Sequence, residues 1–465
     1  MPDAADLAKL GNAAIVAPAG HGKTEIIANV AAMGRRALIL THTHAGVHAI
    51  RSRLKRLRVH HSTVAVDTIA GWSMRYAHAF PHIARPPPDL PKNNEEWEQL
   101  YRGAANTLAI GAVRDVVEAS YDRILVDEYQ DCNPLQHELA TALSGIVPTL
   151  IFGDPMQGIF EFAGANLSWT EVIHRQFPLA GTLETPHRWR DKNPELGEWI
   201  ADTRGKLMRG EPIDLAAGPI AYRESDNAFD MGAFFDGIDA KEGSFAAIHC
   251  NKGLCYKLAS AAGGGYQAIE EVAAKRLREF ASAWDGSVDG RARQRAIVSL
   301  LDECFRKHKP TPDEAPDPAD AAVADQMNAV APALATGDGI DAARELLALA
   351  RKRPSWKPFR SELLRDAERA ITEVGAGRVE NISDGVGRVR QRLSVAGRNL
   401  PKRTVSTPLL LKGLEFDHVV VPDATHFARE SQAQAKLFYV AISRATRSLT
   451  LASSERVLRF SVPQL

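Results

Sequence analysis

No stretch of the sequence offers the roughly 20 consecutive apolar residues that a membrane-spanning helix requires, so no membrane segment is expected. Cysteine is scarce. Cys132, Cys250, Cys255 and Cys304 lack the paired spacing of a zinc site or a disulfide framework. They are expected to be ordinary thiols, which suits a reducing cytoplasm. Net charge is absent as well, with 57 Lys and Arg against 57 Asp and Glu. That argues against a nucleic-acid coat but leaves room for a binder whose charge is confined to a groove. The N-terminal stretch carries Asp3 and Asp6 and lacks both a basic n-region and a long apolar h-region, so no secretory signal is expected. No internal repeat is visible at a solenoid period.

What is present is an ordinary globular composition, 45% hydrophobic and 25% charged over 465 residues, a length that suggests two to four domains. One stretch organises the rest. Ala17-Pro-Ala-Gly20-His21-Gly22-Lys23-Thr24 follows a short apolar run, Ala13 to Val16, and precedes a helix-like run from Glu25 to Ala32. A strand turning on glycines into a helix presents backbone N–H groups and a helix N-terminus to a polyphosphate. Gly20 and Gly22 allow close approach, Lys23 suits the β/γ-phosphates and Thr24 suits Mg²⁺. The expected ligands are therefore ATP or another nucleoside triphosphate, and Mg²⁺.

Further along, strands are expected at Ala37–Thr41, Thr63–Val66, Arg123–Asp127 and Thr149–Gly153, alternating with helices as in a parallel α/β sheet. Ligands gather at the carboxyl ends of such strands. Asp127 and Glu128 stand at one such end, suited to Mg²⁺ and to the attacking water. Asp154 and Gln157 stand at another. Phe160 and Phe162 follow, and read either as core or as a platform on which bases stack. Arg51, Arg53, Lys55, Arg56 and Arg58, with His60 and His61, read either as a helix's solvated face or as a phosphate contact, since Ile50, Leu54 and Leu57 supply an apolar stripe. Pro81 to Pro91 is a break, and Asn93 to about Ala119 is helical. A second set of strands is expected at Pro219–Tyr222, Phe245–His249, His418–Val421 and Leu449–Leu451. Helical sequence from about Gly265 to Arg398 interrupts that set, with a Pro/Asp-rich linker at Lys309 to Ala321.

The order of these motifs resembles the UvrD/Rep-type superfamily 1A helicases. Ala17-x-x-Gly20-x-Gly22-Lys23-Thr24 is similar to motif I, Thr41-His42-Thr43-His44-Ala45 to motif Ia and Asp127-Glu128-Tyr129-Gln130-Asp131 to motif II. The run from Gly153 to Ala165 is similar to motif III, and Leu183-x-x-x-His187-Arg188 to motif IV. Thr407 with Lys412-Gly413-Leu414-Glu415-Phe416 is similar to motif V, and Tyr439-Val440-Ala441-x-Ser443-Arg444-Ala445-Thr446 to motif VI.

The resemblance implies an α/β fold of two RecA-like domains, each a parallel sheet flanked by helices. The first carries a small helical insertion and the second a shortened, mostly helical one. It places the first domain at 1–190, with its insertion near 81–119. The second falls at 191–264 and 400–465, with its insertion at 265–399. It implies catalytic roles for Lys23, Glu128, Gln157, Arg188 and Arg444, the two arginines reaching the γ-phosphate across the cleft between the domains. Nucleotide contacts fall to Ala17, Gly20, His21, Gly22, Lys23, Thr24, His187 and Glu415, metal contacts to Thr24 and Asp127, and DNA contacts to Thr41, His42, Thr68, Phe160, Phe162 and Thr407.

There are departures from the family pattern. No glutamine precedes Ala17 to read adenine, Glu25 stands where Arg is usual, and His187 replaces a stacking Tyr. Ala163 stands where Arg is usual, and Leu409 and Leu411 replace His and Ser. These changes leave the catalytic core intact and alter the base and DNA contacts. The implied activity is a single-stranded-DNA-stimulated ATPase of the 3′→5′ translocase or helicase class. The alternative is a nucleotide-gated DNA-sensing subunit of a nuclease complex. By size and domain plan the chain more loosely resembles the helicase subunit of the Gabija anti-phage system, which implies a partner nuclease of the OLD/TOPRIM type. A nuclease in its own right is poorly supported, because no second carboxylate cluster with a nearby Lys is visible.

Overall fold

A computed structural model describes residues 3–88, 90–91, 93–159, 167–263, 265–268, 272–308, 317–396, 401–430 and 433–465. The chain divides into two compact units. The first comprises residues 1–222, 424–449 and 455–465, and the second comprises 223–423 and 450–454.

The first unit is built on six strands: β1 (Ala13–Val16), β2 (Ala37–Thr41), β3 (Val64–Thr68), β4 (Arg123–Val126), β5 (Thr149–Gly153) and β6 (Leu179–Thr182). They form one parallel sheet in the order β3-β2-β4-β5-β1-β6. Successive side chains alternate between its faces. Ala14, Val16, Leu38, Leu40, Ile124, Val126 and Ile151 enter one core, while Ala13, Ile15, Ala37, Ile39, Leu125, Leu150 and Phe152 enter the other. Burial on both faces is why these strands are continuous apolar runs. β3 closes one side of the sheet and differs, because Ala65 is exposed. It starts and ends later than the sequence suggests, and Thr68 caps the following helix, Ile69–Ala79.

The helical stretch expected after the proline break is two helices, Asn94–Thr107 and Gly111–Ser120. Leu100, Tyr101, Val113 and Val117 on these helices share a core with the sheet. β7 (Ile213–Asp214) pairs antiparallel with β16 (Val457–Leu458).

A second sheet draws on β8 (Ala221–Glu224), β9 (Phe245–Ile248), β10 (Gln267–Ala268), β13 (Arg403–Ser406), β14 (Phe416–Val421) and β15 (Ala445–Ser453). The order is β10-β13-β9-β14-β15-β8, with β10, β13, β9 and β14 running parallel. β13 and β10 were not expected from the sequence. Between these strands, helices at 272–285, 290–304, 318–330, 340–352, 361–375 and 382–396 enclose a separate core. They carry the hairpin of β11 (Phe305–Lys307) and β12 (Trp356–Pro358). Part of the expected Pro/Asp-rich linker, 309–316, lies outside the described residues. Its end is helix rather than linker, because Asp317 caps Pro318–Val330 with Pro318 in the first turn.

None of the four cysteines forms a disulfide. Among the described residues no helix is long and apolar enough to cross a membrane.

Candidate nucleotide site on the first sheet

β1 ends at Val16, and the loop that follows is tied to β5 by the Ala17 N–H donating to the Gly153 carbonyl at 2.8 Å. Gly20 and Gly22 take φ of 75° and 81°, a region that costs an L side chain and not a glycine. Space is also closed to a side chain. A Cβ on Gly20 would lie 2.7 Å from the Trp189 ring, and one on Gly22 would lie 3.0 Å from the His187 ring. Gly22 caps the helix Lys23–Met33, whose Ile27, Ala28, Val30 and Ala31 are buried against the sheet. Lys23 and Thr24 are thereby fixed in the first turn, where backbone N–H groups and the helix dipole favour an anion.

Lys23 Nζ lies 2.8 Å from Asp127 Oδ1 and 2.5 Å from Glu128 Oε1. Burial alone would lower the ammonium's pKa, but the two carboxylates outweigh it and hold the pKa above its usual range. Burial pushes Asp127 above the usual carboxylate range against the pull of Lys23. Glu128 sits at φ 54°, a left-handed conformation unusual for a residue with a side chain. Its carboxylate accepts from Gln130 Nε2 at 2.6 Å, and Gln130 Oε1 in turn accepts the Asp154 N–H at 3.1 Å. Motifs I, II and III of the sequence are joined by these bonds.

Asp154 is fully buried in its side chain and is surrounded by donors. Its Oδ1 accepts from Arg204 at 2.7 Å and from the Met156 N–H at 3.1 Å, and its Oδ2 accepts from Gln157 Nε2 at 3.1 Å. Arg204 is the residue that the sequence reading missed. It stands on the helix Pro194–Arg209, beside Lys206 and Arg209, with nothing in that run to separate a buried arginine from exposed ones. Burial works against its charge, and Asp154 and Tyr439 together more than restore it. Its guanidinium also lies 5.9 Å from the centroid of the Tyr439 ring.

Tyr439 closes the circuit, its hydroxyl accepting the Ala19 N–H of the phosphate loop at 2.9 Å. His21 Nδ1 donates to the Ala19 carbonyl at 2.8 Å, and burial lowers the His21 pKa despite that bond.

Arg188 and Arg444 flank Ser443. Arg188 donates to the Ser443 carbonyl at 2.6 Å, and its own N–H donates to the Gly20 carbonyl at 3.0 Å. Arg444 is 1% exposed; its Nε donates to Val440 O at 2.9 Å and its Nη2 to Ser443 Oγ at 2.8 Å. The segment bearing Tyr439 and Arg444 belongs to the first unit, together with the phosphate loop. His187 is exposed beside Gly22, and burial followed by the nearby Arg190 lowers its pKa.

The expected DNA contacts fall in different places. Thr41 is buried against Gly46, and Thr68 is buried with its hydroxyl accepting the Gly71 N–H at 2.9 Å. His42 is half-buried, its Nε2 3.5 Å from Cys132 Sγ. Phe160 and Phe162 lie outside the described residues. Thr407 and Glu415 are in the second unit, Glu415 exposed and Thr407 half-buried.

Relatives by sequence share short segments. One component of the ATP-dependent helicase/nuclease of Leuconostoc mesenteroides is 27% identical over 143 residues, which is 29% of this chain and 11% of that protein. DNA helicase II of Escherichia coli is 30% identical over 120 residues, which is 23% of this chain and 16% of that protein. The matched segments are thus a small part of those proteins' own length. A solved structure of arterivirus nonstructural protein 10, a helicase with DNA, aligns with 95% of this chain and 60% of its own at 10% identity and a TM-score of 0.34. Residues 91–178 match the UvrD/REP helicase N-terminal domain, and residues 405–452 match the UvrD-like helicase C-terminal domain. The first stretch carries Asp127 and Glu128 and the second carries Arg444, so in both stretches the chain is similar to the UvrD-type helicases.

Proposed function

We propose that the chain is an ATP-hydrolysing DNA translocase or helicase of the 3′→5′ class, stimulated by single-stranded DNA. The observation that carries the reading is the Lys23–Asp127–Glu128 triad at the mouth of a glycine loop too tight for side chains. Lys23 is a fixed positive charge for the β/γ-phosphates, and the N–H groups of the first helical turn share that load. Thr24 and Asp127 offer the hard oxygen donors that suit Mg²⁺, which when bound neutralises phosphate charge. Glu128, oriented by Gln130, holds and polarises the attacking water. Gln157 and Arg204, both on Asp154, fix the floor of the site. Arg188 and Arg444 are the cations that meet charge developing on the γ-phosphate, a role suited to a guanidinium that stays charged. Glu415 contacts the ribose, and Thr407, His42, Phe160 and Phe162 contact DNA, while Thr41 and Thr68 are buried out of its reach.

The test is steady-state ATP hydrolysis with and without single-stranded DNA. The expected result is stimulation by DNA, and Lys23→Ala or Glu128→Gln is expected to lower turnover by about a thousandfold. Absence of stimulation across oligonucleotide lengths would remove the translocase reading, and turnover retained in both variants would remove the site.

A second reading is favoured by the departures at Ala163, Leu409 and Leu411 and by the helicase/nuclease name of one relative. In it the chain is a nucleotide-gated DNA sensor that serves a partner nuclease, as the Gabija resemblance also suggests. Brisk unwinding by the isolated monomer would refute it.

A further inference from the structure

The basic run from Arg51 to His61 is not used by the nucleotide site. Its apolar stripe is packed as expected, with Ile50 and Leu54 buried. Its polar face lines a groove of about 840 Å³ along the outer side of β3. Arg51, Lys55, Arg58, His60, His61 and Arg75 line this groove with one carboxylate, Asp67, which is already paired with Arg75. On the helix, Arg53 is paired with Glu25 of the neighbouring helix, whereas Lys55, and Arg58 just past the helix end, have no carboxylate partner among the described residues.

We propose that this groove is a second phosphate-contacting track for a polynucleotide strand, running down the sheet edge away from the strand ends. The proposal rests on the DNA-binding reading above. One observation favours a phosphodiester backbone over an acidic peptide. β3 is an edge strand, open to strand addition in principle, but Arg51 donates to the Val66 carbonyl at 2.8 Å and so takes an acceptor that an added strand would need. What remains is a row of cationic side chains above a blocked edge, which suits charges spaced along a backbone. Arg58 is held at φ 56° just beyond the helix end, by its N–H to Lys55 O at 3.1 Å and by Val59 N–H to Leu54 O at 3.0 Å. Glycine is the residue that this position favours, so an arginine there stands against the backbone's preference.

That last point makes the test discriminating. Arg58→Gly removes a charge while relaxing the backbone, so a merely structural arginine would leave binding unchanged. Binding of a labelled single strand of roughly 30 nucleotides is followed by anisotropy from about 50 to about 200 mM salt. For Lys55→Ala/Arg58→Gly, affinity is expected to fall roughly tenfold. The slope of log K against log salt is expected to become shallower by about 1.5, as for two lost phosphate contacts. The melting temperature of Arg58→Gly is expected to be no lower than that of the parent, and DNA-free ATP hydrolysis unchanged. A parent that binds while the variant keeps its slope overturns this proposal alone. A parent that binds no oligonucleotide at low salt overturns both this and the DNA-binding reading. Displacement of the oligonucleotide by polyglutamate more readily than by polythymidylate, at equal charge, assigns the groove to an acidic protein and overturns the phosphate track.

Discussion

At the carboxyl ends of β1, β4 and β5, Lys23, Asp127, Glu128, Gln130, Asp154 and Gln157 are bonded to one another in a continuous web. In the second unit, Thr407 just past β13 makes no capping bond, and Glu415 just before β14 is exposed. The contrast separates two ways of presenting polar groups. In the first, a ligand group is also a structural group, because leaving it unpaired in a buried place costs the fold. In the second, the proposed ligand groups sit at exposed or half-buried loop positions, where a substitution costs the fold less. Substitutions on the first sheet should therefore move stability and activity together, and those on the second should move activity alone.

The largest stability effect is expected at Arg204. Arg204→Met leaves the Asp154 carboxylate buried without its cation and should cost about 3–5 kcal/mol, read from urea denaturation. Adding Asp154→Asn should recover part of that loss; strict additivity of the two would mean that the pair is not coupled. Next comes Tyr439→Phe, which strips the acceptor from the Ala19 N–H. A loss of about 1–3 kcal/mol is expected, together with weaker nucleotide binding in a titration.

A smaller effect is expected from His21. Burial lowers its pKa below the unfolded value of about 6.5, so the unfolded chain binds the extra proton. Its contribution is complete above about pH 6.5 and is lost as pH falls from there toward the lowered folded value, with a limiting slope of about 1.4 kcal/mol per pH unit. His21→Asn should flatten the stability profile in that window, and an unchanged profile would remove the assignment. Least of all, Glu415→Gln should shift stability by no more than about 0.5 kcal/mol while raising the KM for nucleotide. A large drop in its denaturation midpoint would collapse the contrast between the sheets.

The legible parts of the molecule are those where chemistry demands a residue type at a fixed spacing. The glycines and Lys23 can be read because few residues tolerate φ of 75° and 81° beneath two rings. Asp127 and Asp154 can be read because a carboxylate ending an apolar run is unusual. Strands β1, β2 and β5 can be read because burial on both faces leaves near-continuous apolar runs. β13 was missed, since Arg403-Thr-Val-Ser lacks that apolar continuity although Thr404, Val405 and Ser406 are buried. β6 was missed for another reason: it is an edge strand, exposed or half-buried from Leu179 to Thr182, so burial imposes no apolar run there. Arg204 escaped for a different reason. Its partners, Asp154 and Tyr439, are far away in sequence, and a charged residue on an amphipathic helix looks like surface until those partners are placed.

The bond from the Ala19 N–H to the Tyr439 hydroxyl spans 420 positions of sequence. During synthesis the glycine loop leaves the ribosome long before the partner of its amide has been made. The Trp189 indole waits in the same way for the Ala445 carbonyl, to which it donates at 2.6 Å. A nascent or prematurely ended chain can therefore fold its first sheet without finishing its phosphate loop. The loop thus reaches its final set of bonds only once translation has passed Ala445.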